Sequence, residues 1–283
     1  MRFAKYQGTG NDFVMLADVH DRIRLDASLV RRLCDRRFGI GADGVIRVGS
    51  GRDGGELFMD YVNSDGSVGE MCGNGIRCLA LFARAEGLTD ASRLRVATRA
   101  GIKEVDVTGD GHVRVDMGPP VFRPLDIPVR WEGDEALHVK LEPGAHAQDE
   151  VVEVACVSMG NPHAVIFVDE VSTVAPAVLG PPIEHHARFP NRTNVEFVHA
   201  ASPYRLEMKV WERGAGETMA CGTGACAAAV VSRLLAATAE EVVVALPGGE
   251  LTVSWAGSLE DEAPVFMTGP AAESFRGEIE VTS

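Results

Sequence analysis

Short runs of β-branched and aromatic residues recur along the chain and dominate its pattern, as expected of strands. They fall at residues 13–16, 45–48, 57–62, 151–157, 164–168, 194–198, 206–211 and 241–246. Residues 102–117 read as a hairpin turning at Gly109-Asp110-Gly111, and a second hairpin is expected at Pro247-Gly248-Gly249. Three segments carry helical spacing instead. Residues 28–37 place Leu29 and Leu33 four apart, with Gly39 just beyond. Residues 74–86 put Ile76, Leu79, Phe82 and Ala83 on one face and stop at Gly87. Residues 223–237 are apolar almost all round, which predicts a buried helix. Few helices among many strands indicate an α+β fold, not a Rossmann alternation.

The pattern repeats. Cys72-Gly73-Asn74-Gly75 precedes the second helix and Cys221-Gly222-Thr223-Gly224 the third, 149 residues apart. Met59-Asp60-Tyr61-Val62-Asn63 aligns with Met208-Lys209-Val210-Trp211-Glu212 at the same offset. Gly10-Asn11-Asp12-Phe13-Val14 aligns with Gly160-Asn161-Pro162-His163-Ala164 at 150. A repeat this long predicts duplicated domains, not a solenoid. The expected lobes are 1–118, rejoined by 268–283, and 119–267, with the crossover near Gly118-Pro119-Pro120.

Composition narrows the partners. The chain has 283 residues, 46% of them hydrophobic, and a net charge of −14. That charge repels phosphate backbones and anionic membranes, so neither nucleic acid nor a membrane is an expected partner. No leader is evident at Met1-Arg2-Phe3-Ala4-Lys5, and no apolar run reaches the roughly 18 residues of a membrane span. A soluble cytoplasmic protein is expected. The six cysteines are too few for a disulfide scaffold of this length and are read as thiols.

The repeated Cys-Gly-x-Gly element carries the candidate chemistry. A cysteine just before a helix meets unpaired backbone N–H groups and the positive end of the dipole, which favour its thiolate. The same N–H groups can cradle a carboxylate, and the glycines let it approach. Two such thiols flanking one carboxylate-bearing carbon suit stereoinversion: one removes the α-proton, the other returns a proton to the opposite face. Cys34, Cys78, Cys156 and Cys226 are read as core. The spacings Cys72-x5-Cys78 and Cys221-x4-Cys226 do not suit zinc. The G-x-G-x-x-G run at 39–44 follows a helix and precedes a strand, the wrong order for a dinucleotide site.

Met71-Cys72-Gly73-Asn74-Gly75-Ile76-Arg77-Cys78 resembles the first signature of the diaminopimelate epimerases, and the run from Glu212 to Gly224 resembles the second. Gly8-Thr9-Gly10-Asn11-Asp12-Phe13 and Gly160-Asn161-Pro162-His163 are similar to further motifs of that family. The resemblance implies two pseudo-symmetric lobes, each a mixed, mostly antiparallel sheet wrapped around a central helix, with the site in the cleft between them. It implies interconversion of LL- and meso-diaminopimelate for lysine and peptidoglycan precursors, with no metal, pyridoxal phosphate or nicotinamide, in a homodimer. By resemblance, Cys72 and Cys221 are the catalytic pair. Asn11, Asn63, Gly73, Asn74, Asn161, Asn194, Glu212, Arg213, Gly222 and Thr223 bind substrate, and His163 and Glu212 tune the thiols. One position departs from the family: Gly44 stands where many members carry a substrate-contacting Gln.

Two other functions fit parts of this pattern. Proline or hydroxyproline racemases share the cysteine pair, but typically carry His at the position of Asn74. Their one-carboxylate substrates also give no reason for Arg213. A non-catalytic amino-acid-binding protein on the same scaffold would not need both cysteines.

Overall fold

The computed structural model describes residues 1–142, 151–236 and 238–280. Ala237, placed in the third helix by the sequence pattern, and residues 281–283 lie outside these. In chain order the first elements are β1 (Arg2–Gly8), β2 (Asn11–Ala17), α1 (Ala27–Cys34), β3 (Gly44–Ser50), β4 (Leu57–Asn63) and α2 (Gly73–Ala85). β5 (Arg93–Thr98), β6 (Gly101–Val107) and β7 (Val113–Gly118) follow. Then come β8 (Val139–Leu141), β9 (Val152–Ser158), β10 (Pro162–Phe167), α3 (Pro176–Glu184), β11 (Asn194–Ser202) and β12 (Arg205–Glu212). The chain ends with β13 (Gly216–Thr218), α4 (Gly222–Leu235), β14 (Glu241–Leu246), β15 (Gly249–Ser254), β16 (Val265–Gly269) and β17 (Ala272–Glu278). The chain forms two compact units, Met1–Asp116 with Thr268–Ser283, and Met117–Met267.

Within each unit the strand pairing follows one plan. In the first, β1 and β2 are antiparallel, β2 and β3 parallel, β3 and β4 antiparallel, β4 and β5 parallel, and β5 and β6 antiparallel. The second repeats this order with β9, β10, β11, β12, β14 and β15. Register matches too: Phe13 pairs with Gly44, and His163 with Asn194. α1 and α3 each link the first parallel pair, and α2 and α4 each lie in the connection between the second, β4 to β5 and β12 to β14. The fold is α+β, as the strand-rich pattern predicts.

Alternation along the strands distributes the two faces. In the first unit Val14, Leu16 and Val45 pack with Val30 and Leu33 of α1. Phe13 and Ile46 therefore turn to the opposite face, where a Cβ on Gly75 of α2 would lie 2.6 Å from Ile46 Cδ1. In the second unit Ala164, Ile166, Val195 and Phe197 share a cluster with Ile183 of α3. His163 and Glu196 thus face α4.

Two differences from the sequence pattern concern helices. α1 ends at Cys34, three residues before the expected end. There the Asp35 carboxylate accepts from the N–H groups of Arg37 and Phe38, offering the backbone an alternative to helix. α3 was not among the expected helices; it runs through Pro181 and Pro182, residues unfavourable inside a helix, and ends two residues later. β1 and β17 pair antiparallel, a long-range ladder that local periodicity does not reveal.

Candidate active site

The two cysteines occupy the same local position. Cys72 is the N-cap of α2 and Cys221 that of α4, both with extended backbone. Each Sγ accepts the N–H of the second glycine, Gly75 or Gly224, at 3.4 Å. Sulfur thus takes the capping role that an oxygen usually fills. Cys72 is half-buried and Cys221 buried; Cys34, Cys78, Cys156 and Cys226 are buried and outside any disulfide among the described residues.

Around Cys72 the first unit gathers amides. Asn11 Oδ1 lies 3.7 Å from its Sγ and accepts from Asn74 Nδ2 at 3.3 Å. Asp43 fixes the Asn11 amide by accepting from its Nδ2 at 2.7 Å. Asp43 is itself held by Arg36, which also pairs with Asp12. Behind Asn74, the fully buried Arg77 donates to Asn74 Oδ1 and to Gly73 O at 3.1 Å, and to Thr9 Oγ1 and Pro270 O. Asn63 lies at the end of β4, accepting from the Tyr61 hydroxyl and donating to Ser67 Oγ. The departure at Gly44 has a steric counterpart: a Cβ there would lie 2.7 Å from Tyr61 Cε2 and 2.8 Å from Val62 O. The Tyr61 ring fills the space a side chain at 44 would enter.

Around Cys221 the second unit gathers charge. Thr223 Oγ1 lies 3.5 Å from the sulfur. Burial, reinforced by the Glu212 and Glu196 carboxylates, pushes the Cys221 thiol well above the ordinary thiol range. Burial also raises Glu212, against the hydrogen bonds it accepts from Thr218 and Cys221. His163 is fully buried, with Nδ1 2.7 Å from Glu196 Oε1 and Nε2 2.9 Å from Asn161 Oδ1. Asn194 is buried and works on the backbone: its Nδ2 donates to Pro162 O, and its Oδ1 accepts from Arg213 N–H at 2.8 Å. Glu184 takes the Gly214 N–H and the Trp211 indole N–H, so the turn carrying Arg213 is held from two sides. The Arg213 guanidinium donates to Asn191 O.

Asn11, Gly73 and Asn74 thus assemble at Cys72, and Glu212, Gly222 and Thr223 at Cys221. Asn161 joins His163, and Asn194 supports Arg213. Sequence reading missed Asp43, Arg77, Glu184 and Glu196. Glu196 had a visible signal, a lone acid between the apolar Val195 and Phe197 of a strand run.

Two units of one plan, each with a cysteine capping its central helix, make a duplicated α+β fold. Solved structures sharing it include a probable proline racemase from Agrobacterium radiobacter, with 13% identity, 99% of this chain and 93% of that chain covered, and a TM-score of 0.72. A Bacillus anthracis phenazine biosynthesis protein of the PhzF family has 16% identity, 99% of each chain covered and a TM-score of 0.67. At these identities the likeness is one of fold. A family model described as diaminopimelate epimerase matches residues 3–123 and 155–273. Proteins named diaminopimelate epimerase are 46% identical in Thioalkalivibrio sulfidiphilus and 47% in Laribacter hongkongensis, each over 99% of both chains. One in Synechococcus elongatus is 45% identical over 100% of this chain and 99% of its own. The chain belongs to the diaminopimelate epimerase family.

Proposed function

We propose that this chain interconverts LL- and meso-diaminopimelate without a cofactor, using Cys72 and Cys221 as the proton-transfer pair. What carries the reading is a cysteine at the same N-cap of both repeat helices, each sulfur accepting one backbone N–H. The remaining N–H groups at these helix ends suit a carboxylate that gains charge as the α-proton leaves. One thiolate takes that proton and one thiol returns another to the opposite face; the reverse reaction exchanges their roles. Cys221, buried beside two carboxylates, rests as the thiol. Among the side chains assigned to the site, Arg213 suits a distal carboxylate by bidentate pairing and Glu212 an ammonium.

Membership of the family and the full-length match to its named members favour this substrate over a proline-type one. The Asn74 and Arg213 side chains favour it too. We also assign the protein to the cytoplasm as a homodimer. No helix among the described residues is long and apolar enough to cross a membrane. Phe275 on β17 is half exposed beside Phe3, and suits a contact with a second copy.

Cys72→Ala and Cys221→Ala test the pair. Each is expected to lose about a hundred-fold or more of epimerisation, the scale of one acid–base group, while keeping its circular dichroism. Near-native turnover in either would overturn the two-thiol reading.

A further inference from the structure

His163 and Glu196 occupy the positions that Phe13 and Ile46 hold in the first unit, in the same strand register and facing the corresponding helix. A Cβ on Gly224 would lie 2.8 Å from Glu196 Oε1, as one on Gly75 would lie 2.6 Å from Ile46 Cδ1. The glycine makes room for a methyl group in one repeat and for a carboxylate in the other. An apolar pair therefore satisfies this scaffold. A buried acid–imidazole pair must overcome desolvation that an apolar pair does not meet. Its presence in one repeat only points to a task beyond folding.

The hydrogen bonds indicate that task. His163 Nδ1 faces Glu196 Oε1 at 2.7 Å and Nε2 faces Asn161 Oδ1 at 2.9 Å. Both neighbours are acceptors, and only an imidazolium donates from both nitrogens. Glu196 is fully buried, and its Oε2 has no hydrogen-bond partner among the described residues, which leaves the imidazole as the ionisable partner it contacts. The other titratable groups facing this pair are Cys156 from β9, Glu212 from β12 and Cys221 from α4; none is a cation. With its oxygen engaged by His163, the Asn161 amide has Nδ2 left to donate, and Nδ2 has no partner among the described residues.

We propose that Glu196 is a positioning residue: by holding His163 as an imidazolium it locks the Asn161 amide with its N–H groups toward the ligand, as donor to a substrate carboxylate. This rests on the epimerase reading. In Glu196→Gln the side-chain oxygen still accepts from Nδ1–H, but no buried negative charge retains the second ring proton. Nε2 then accepts, Asn161 reverses, and its oxygen meets the carboxylate.

The test has two arms. Nitrogen NMR of 15N-histidine-labelled wild-type protein at neutral pH, with His163 assigned through His163→Phe/Glu196→Ile, reads the ring directly. This double variant restores the apolar pair of the first repeat. Two protonated nitrogens on His163 are expected; one unprotonated nitrogen would overturn the relay. The second arm is the kinetics of Glu196→Gln with LL-diaminopimelate. KM is expected to rise about ten-fold or more, the scale of a lost hydrogen bond to a charged group, with kcat changed much less. An unchanged KM would also overturn the relay. If Glu196→Gln does not fold, the wild-type spectrum decides alone. A wild-type protein that does not epimerise would refute the proposed function, and the spectrum would still test the relay.

Discussion

At the scale of single residues, the two thiols share a scaffold and differ in surroundings. Both accept a backbone N–H at the head of a helix, but amides surround Cys72 and carboxylates Cys221. The pH consequence has a definite sign. A thiol raised above its ordinary range stays protonated through neutral pH, and its reactivity grows only as pH rises toward the displaced value. Iodoacetamide at pH 7 is therefore expected to label Cys72 first, with Cys221 gaining only under alkaline conditions. Peptide mapping across pH checks this, and preferential labelling of Cys221 at neutral pH would contradict it. The candidate cysteines, asparagines and Arg213 were legible in the sequence because they sit in repeated or family-like motifs. Glu196, Arg77 and Glu184 were not singled out, because their burial and part of their hydrogen bonding depend on residues distant in sequence. Asn194, read as a ligand contact, donates to Pro162 O and accepts from the Arg213 N–H, so it also holds the backbone that carries Arg213.

At the scale of elements, strand alternation decides which side chains meet which helix. The strand runs were legible from composition, and the two central helices from their apolar faces and glycine stops. α1 was overextended because the competing Asp35 turn is a hydrogen-bond choice that periodicity does not register. α3 was not singled out; it is short and carries Pro181 and Pro182 inside it, so it lacks the signals that marked the other helices. Packing at element scale also bears on the family's variable position. Restoring the usual side chain with Gly44→Gln would drive Cβ against Tyr61 and the Val62 carbonyl. Overpacking of this kind costs about 1–3 kcal/mol. Urea unfolding should show a loss in that range, with lower turnover if Tyr61 is displaced from Asn63. A variant as stable as the parent would show that the ring yields freely.

At the scale of the whole molecule, duplication is legible in the sequence alone, because three landmarks keep one offset to within a residue. The structure adds that strand order, sense and register repeat as well. What duplication hides is where the copies diverge. Phe13 and Ile46 against His163 and Glu196, and Asn63 against Glu212, give one scaffold two polarities. The same scale carries the assembly prediction. Sedimentation at micromolar concentration should give the mass of a dimer, and Phe275→Glu should shift it toward monomer. A monomeric parent would contradict this.

The most direct test of the two-thiol epimerase is incubation with LL-diaminopimelate in D₂O, with chelator present and no pyridoxal phosphate added, followed by chiral separation and mass analysis. The expected product is meso-diaminopimelate carrying one deuterium at the inverted α-carbon. Recovery of unlabelled LL-diaminopimelate, or inversion that begins only when pyridoxal phosphate or a metal is supplied, would contradict it.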